Sequence, residues 1–286
     1  MDVDFIAEVS SNHSQELNRC LTFIDTAAKI GCAAVKFQLF RIQKLFAPEI
    51  LVRSEEHRRR RMWELPIEFL PELSARCHEA GIHFACTPFY LDAVEELLPY
   101  VDFYKIASYE LLWKDLLISC AGTGKPLVLS TGMATLDEVQ ESVSVLRSAG
   151  CKDLTLLHCI SGYPTPLSEC NLSAIETLRQ AFDCLIGWSD HSVNPGVVYR
   201  AVNRWGAVMV EFHMDLDGKG SEYQTGHCWL PEQIQPVIQT VQEGLLADGR
   251  GEKIAGPCEQ KDRDWRADPC DGLRPLMKVR EEWKKS

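Results

Sequence analysis

Short apolar runs alternate along this chain with longer amphipathic stretches. The runs are residues 5–9, 34–38, 83–88, 103–108, 127–131, 154–159, 184–189 and 208–213. Each has the length of a strand and is rich in Val, Ile, Leu, Phe or Cys, without polar alternation. That is the pattern of a parallel sheet buried on both faces. The intervening stretches read as helices. Residues 17–30 place Leu21, Ile24 and Ala28 on one face and end at Gly31. Residues 136–149 follow Thr135, a favourable N-cap, and end at Gly150. Residues 172–182 and 231–246 repeat the pattern, the last opening on Pro231 and Glu232, which suit a first helical turn.

Eight strands each followed by a helix-sized segment, all before about residue 246, predict an α/β fold with a parallel sheet. The size matches a closed (β/α)8 TIM barrel over residues 1–246. A doubly wound open sheet is the alternative, but it carries a glycine-rich phosphate turn after its first strand. Here that turn reads Ser10-Ser11-Asn12-His13, so the barrel is the better reading. Two stretches break the rhythm. Residues 39–65 form a long connection containing the basic run 58–61, read as a solvated face or subunit contact before a phosphate clamp. Residues 247–286 are polar, with Pro257, Pro269 and Pro275, and form a short C-terminal extension expected to pack on the barrel.

Composition narrows the function classes. Hydrophobic residues make up 45% and charged residues 25%, a globular balance that excludes disordered and fibrous chains. The net charge of −11 argues against a nucleic-acid surface, which needs basic stripes. A small anion remains compatible, because a few cations in a cleft outweigh the global field. The acidic start Met1-Asp2-Val3-Asp4 lacks the basic region of a signal peptide, and no run approaches the roughly 20 residues that span a bilayer. Twelve cysteines show no Cys-x-x-Cys spacing, and Cys86, Cys159 and Cys184 fall in apolar runs as buried thiols. These features predict a reduced, cytoplasmic protein with no membrane partner.

A barrel holds its site at the carboxyl ends of the strands. Those ends carry Glu8, Lys36, Gln38, Thr87, Lys105, Ser108, Glu110, Ser130, Thr131, His158, Ser189, Asp190, His191, Glu211 and His213. Any one is an ordinary polar residue at a loop entrance. So many together on apolar strands are costly unless paired or liganded. Lys36 and Lys105 with the hydroxyls of Thr87, Ser108, Ser130 and Thr131 suit an oxyanion; the alternative is two lysines that snorkel to solvent. His191 and His213 end neighbouring strands near the carboxylates Asp190, Glu211 and Glu222. They suit either a divalent transition metal or hydrogen-bonded core positions. Glu8 and Glu110 are acid/base candidates or salt-bridge partners of the lysines. His158 faces either the mouth or the core.

The combined motifs resemble the sialic acid synthase (N-acetylneuraminate synthase) family over roughly residues 5–245. They are Phe5-Ile6-Ala7-Glu8-Val9 with Asn12-His13, Ala34-Val35-Lys36-Phe37-Gln38, Thr87-Pro88-Phe89, Lys105-Ile106-Ala107-Ser108, Leu129-Ser130-Thr131-Gly132-Met133-Ala134-Thr135, His158-Cys159-Ile160-Ser161, Tyr163-Pro164-Thr165-Pro166 and Trp188-Ser189-Asp190-His191. The resemblance implies a (β/α)8 barrel that condenses phosphoenolpyruvate with the open-chain aldehyde of an N-acylated amino sugar such as N-acetylmannosamine, releasing phosphate. It implies a divalent metal, Mn2+ or Mg2+, on His191 and His213. It implies that Lys36, Thr87, Lys105, Ser108, Ser130 and Ser189 hold phosphoenolpyruvate, that Glu8 and Glu110 handle protons and the sugar, and that Gln38 and Tyr163 line the site. A homodimer follows from the same resemblance.

Three departures stand out. Gly162 replaces the asparagine of the family's Ser-Asn-Tyr-Pro turn. Glu222 takes the role of an aspartate that the family carries near the metal. Family members continue into an antifreeze-like domain whose arginine meets the sugar's acyl group, whereas this sequence ends at Ser286, with Arg263, Arg266 or Arg274 as substitutes. The alternatives are the same chemistry on an aldose phosphate, a non-catalytic barrel of the family, and a generic metal-dependent aldolase.

Overall fold

A computed structural model describes residues 3–284. Eight parallel strands run in chain order: β1 (Asp4–Glu8), β2 (Ala34–Leu39), β3 (His83–Pro88), β4 (Phe103–Ile106), β5 (Leu127–Ser130), β6 (Leu154–Cys159), β7 (Leu185–Asp190) and β8 (Met209–Met214). Each pairs with the next, and β1 pairs with β8 through Glu8↔His213, which closes the barrel. The expected (β/α)8 barrel is therefore the observed fold. A ninth strand of two residues, Cys228–Trp229, extends beside the end of β8 and was not foreseen.

Strand parity separates two interiors. Phe5, Val35, Phe37, Phe84, Tyr104, Leu129, Leu156, Trp188 and Phe212 belong to one buried cluster shared with the helices. The alternate residues, among them Ile6, Glu8, Lys36, Thr87, Lys105, Ser130, Ser189, Glu211 and His213, form the inner face of the barrel. This face turns polar towards the carboxyl ends. Gly187 sits on the inner side of β7 because the neighbouring strands approach closely. A Cβ there would lie 2.5 Å from Leu157 Cδ2 and from the Met209 carbonyl oxygen. Gly187→Ala is expected to cost about 1–3 kcal/mol by overpacking, read as a lower denaturation midpoint. An unchanged midpoint would show that this contact relaxes freely.

The surrounding helices start and stop where local chemistry directs. Leu17–Ile30 ends at Gly31, whose φ of 94° supplies the left-handed cap. Leu136–Ser148 begins with a full capping box between Thr135 and Glu138. The long connection after β2 is not irregular. It holds the short helices Ile42–Leu45, Pro48–Arg53 and Glu55–Arg59 and the turn Arg60–Trp63. The cysteines are free, and Cys86 and Cys159 are buried as expected. Cys184 is only half-buried, because β7 starts one residue later, at Leu185.

One compact unit ends at Leu245, and a second begins at Leu246. In the second, Asp268 is the one buried residue among those described. It accepts hydrogen bonds from the amides of Cys270 (2.9 Å) and Met277 (2.6 Å). Trp265 and Trp283 meet edge to face at 6.1 Å. Among the described residues, no helix is long and apolar enough to cross a membrane.

Candidate active site

A cavity of about 680 Å³ opens at the carboxyl ends of the strands. Lys36, Gln38, Lys105, Ser108, Glu110, Ser130, Tyr163, Ser189, His191, His213 and Glu222 line it. Glu8 and Thr87 do not; both are fully buried behind Lys36. The backbone is strained around this mouth. Ser10, Met133 and Val193 adopt positive φ just beyond β1, β5 and β7, and Val193 is β-branched.

The floor is an ionic network. Lys36 Nζ lies 2.5 Å from Glu8 Oε2 and 3.7 Å from Glu211 Oε2, and donates to Thr87 Oγ1 at 3.4 Å. Lys105 Nζ lies 3.5 Å from Glu211 Oε1. Neither lysine snorkels; both are buried. Burial pulls the Lys36 ammonium down, but Glu211 and Glu8 together raise it above its ordinary value. Burial leaves Lys105 lowered, because Glu211 only partly compensates. Burial pushes Glu211 up, yet Lys105, Lys36 and His213 hold it at about 2. Glu8 also accepts from Gln38 Nε2 at 2.6 Å, so it positions two residues that face the cavity.

Ser189 Oγ donates to Glu211 Oε1 at 3.2 Å, while Ser130 Oγ is buried with no protein partner. Ser108 Oγ accepts from the Gly132 amide at 3.0 Å. Glu110 Oε2 is likewise buried and unpartnered, and burial raises this carboxyl to about 7. Buried polar atoms that lack partners inside a cavity are places where a ligand completes the hydrogen bonding.

Three imidazoles meet beside this floor. His191 Nδ1 donates to the Ile160 carbonyl at 2.7 Å, and His213 Nδ1 donates to Glu222 Oε2 at 2.8 Å. His191 Nε2 has no hydrogen bond among the described residues, while His213 also meets the Cys228 thiol. His227 Nε2 lies 3.4 Å from the same Glu222 oxygen, and Ser11 Oγ holds the other oxygen at 2.7 Å. Ligating atoms of His213, Glu222, His227 and Cys228 lie within 4.8 Å of one another. Ring centroids of His191 and His213 are 5.4 Å apart, and Tyr163 lies 4.2 Å from His191. Burial and the neighbouring His213 push His191 down to about 3, which keeps it neutral. This nitrogen-rich donor set fits a divalent transition metal.

Three sequence candidates lie elsewhere, the first being Thr131, which does not line the cavity and donates Oγ1 to the Leu157 carbonyl at 3.0 Å. Asp190 was expected beside the histidines, but parity turns it to the helix side of β7. There it accepts from the indoles of Trp188 (3.1 Å) and Trp229 (2.9 Å). His158 faces the same side, bonded through Nε2 to the Cys170 carbonyl at 3.1 Å and packed on Trp188. The basic run 58–61 is split: Arg58 and Arg59 are exposed, whereas Arg60 lines the cavity. His227 was missed, and Arg60 was read only as part of the basic run 58–61, because both sit on connections without a strand pattern.

Comparisons with known proteins show the family of the chain and its fold. The chain is 35% identical over 89% of its length to an uncharacterized protein of Methanocaldococcus jannaschii, covering 74% of that protein. It is 33% identical to the N,N'-diacetyllegionaminic acid synthase of Campylobacter jejuni, over 90% of this chain and 80% of that one. Its fold superposes with a TM-score of 0.82 on the N-acetylneuraminic acid (sialic acid) synthetase of Leptospira borgpetersenii, solved with citrate. The two are 29% identical, and the match covers 92% of this chain and 90% of the other. The model of the NeuB family matches residues 23–253. On these grounds, together with the motifs that resemble the sialic acid synthases, the chain belongs to the NeuB family.

Proposed function

We propose that the protein condenses phosphoenolpyruvate with the open-chain aldehyde of an N-acylated amino sugar of the N-acetylmannosamine type, giving a nonulosonic acid and phosphate. One observation carries the reading. Two buried lysines bridged by Glu211 share a rim with His191, His213 and Glu222, and Ser130 Oγ and Glu110 Oε2 beside them are unpartnered. Anionic phosphoenolpyruvate fits the lysine floor, with Ser108 and Ser130 as hydroxyl donors and Ser189 lining the same wall while bonded to Glu211. Thr87 and Glu8 act one layer down by orienting Lys36.

Mn2+ or Mg2+ is the metal this reading calls for. His191 and His213 would hold it, with Glu222 and His227 alongside, and when bound it polarises the aldehyde oxygen. In the reaction, C3 of the enol forms a bond to the aldehyde carbon, whose oxygen becomes a hydroxyl. Water adds at C2 and gives up both protons, one to the former aldehyde oxygen and one to the phosphate, as the C2–O bond to phosphate breaks and C2 becomes the keto carbon. Lys36 and Lys105 neutralise the charge on the departing phosphate. Glu110 exchanges protons near neutral pH, where its carboxyl is balanced between its two forms. Holding both substrates in one cavity supplies much of the rate gain.

Phosphate release from phosphoenolpyruvate with Mn2+ across free and phosphorylated sugars, with mass analysis of the product, tests the reading. Release with free N-acylhexosamines supports it. Release only with aldose phosphates reassigns the acceptor, and no release with any sugar points to a non-catalytic barrel. His213→Ala should weaken Mn2+ binding by more than about tenfold in calorimetry while unfolding stays cooperative, because the ring sits at the mouth. Unaltered Mn2+ affinity would remove His213 from the metal site.

A further inference from the structure

The outer wall of the cavity takes no part in the chemistry assigned above. It is formed by the connection after β2 together with Phe89 and Tyr109, and its apolar surface comes from Phe40, Phe46, Trp63 and Phe89. Arg60 is the one arginine among the described residues that line the cavity. Its guanidinium lies over two rings, 5.6 Å from the Phe46 centroid and 5.4 Å from that of Trp63. One terminal nitrogen donates to Glu56 Oε1 at 3.3 Å. Its Nε is buried and has no acceptor.

The wall is anchored to the barrel. Gln15 Nε2 donates to the carbonyls of Arg61 (3.2 Å) and Glu64 (2.9 Å). Glu64 Oε1 accepts from the Ile42 amide at 2.8 Å. Arg60 therefore stands on a fixed turn at the cavity wall, its guanidinium held over the Phe46 and Trp63 rings.

We propose that Arg60 and this aromatic wall form the subsite for the acceptor's acylamido group. The guanidinium donates to the amide carbonyl oxygen, and the acyl methyl and sugar C–H faces lie on Phe46 and Trp63. A phosphomonoester fits less well. It carries close to two charges, and Arg60 already shares its charge with Glu56. The other cavity cations named above, Lys36 and Lys105, lie on the floor, where the condensing reading seats phosphoenolpyruvate. An aromatic wall with one oriented donor matches a neutral amide with a methyl group. The inference rests on the condensing reading only in that the sugar enters this cavity.

Saturation-transfer NMR with N-acetylmannosamine and with mannosamine tests the subsite without turnover. Initial-rate kinetics follow. The variant is Arg60→Met, which keeps the packing on both rings and removes every donor, with Arg60→Lys beside it. The wild type should show a strong acetyl-methyl signal that Arg60→Met loses. The KM for N-acetylmannosamine should rise about ten- to hundredfold. The KM for phosphoenolpyruvate and that for mannosamine should stay within about threefold, and Arg60→Lys should restore part of the loss. Absent binding by the wild type, an unchanged methyl signal in Arg60→Met, or equal losses for both sugars would each overturn the subsite. Selective loss of a phosphorylated hexosamine would overturn it in favour of a phosphate contact. Failure of phosphate release with every sugar, alongside an intact binding result, would fault the reaction and leave the subsite standing.

Discussion

Glu211→Gln is expected to destabilise the barrel by about 3–5 kcal/mol and to abolish tight phosphoenolpyruvate binding at neutral pH. The change is nearly isosteric, so no cavity opens, and the effect isolates charge. Glu211 is the carboxylate within 4.0 Å of Lys105, whereas Lys36 keeps Glu8 at 2.5 Å. Removing it leaves a buried ammonium without a counter-ion. Burial already lowers Lys105, so this amine is the group that gives up its proton. Phosphoenolpyruvate affinity should therefore drop more than tenfold, and the loss should deepen as pH rises through the new Lys105 value. Glu211→Asp, which keeps the charge, should recover most of the stability. Chemical denaturation and calorimetric titration with phosphoenolpyruvate provide the readouts. A Glu211→Gln protein with the wild-type midpoint and affinity would show that the lysines do not depend on this bridge.

Much of this site is legible in the sequence because a barrel imposes two simple rules. Strand order places polar ends at one mouth, and strand parity decides which side chains point inward. The first rule finds Lys36, Lys105, His191 and His213 from apolar runs that end polar. Parity alone sorts Glu211 from Asp190. Glu211 is two residues from His213 and shares its face, while Asp190 is one residue from His191 and takes the other. The same count sends His158 outward with Leu156. What parity cannot reach lies on connections. Arg60 enters the cavity because Gln15, far away in the chain, holds the carbonyls of Arg61 and Glu64. His227 reaches Glu222 through a two-residue strand that has no period to detect. Long-range hydrogen bonds set the Arg60 turn, and the pairing of Cys228 with His213 sets His227; no local pattern announces either.

Glu110→Gln should reduce phosphate release by about 10²–10⁴-fold while making the protein more stable at alkaline pH. The two effects share one cause. Burial raises the Glu110 carboxyl to about 7 from an ordinary value of 4.5, and Oε2 has no donor to offset the loss of water. Below about pH 4.5 the group is protonated in both the folded and unfolded chain and contributes nothing. Between that value and about 7 the folded protein holds a proton that the unfolded chain has released, so stability falls as pH rises. Above 7 both are ionised, and the full penalty, on the order of 3 kcal/mol, is present. Glutamine removes the penalty. The variant should match the wild type near pH 4 and exceed it increasingly towards pH 8, measured by chemical denaturation at a series of pH values. A constant offset across that range would mean that packing, not ionisation, sets the difference. Activity retained within tenfold would assign the proton transfers to another group.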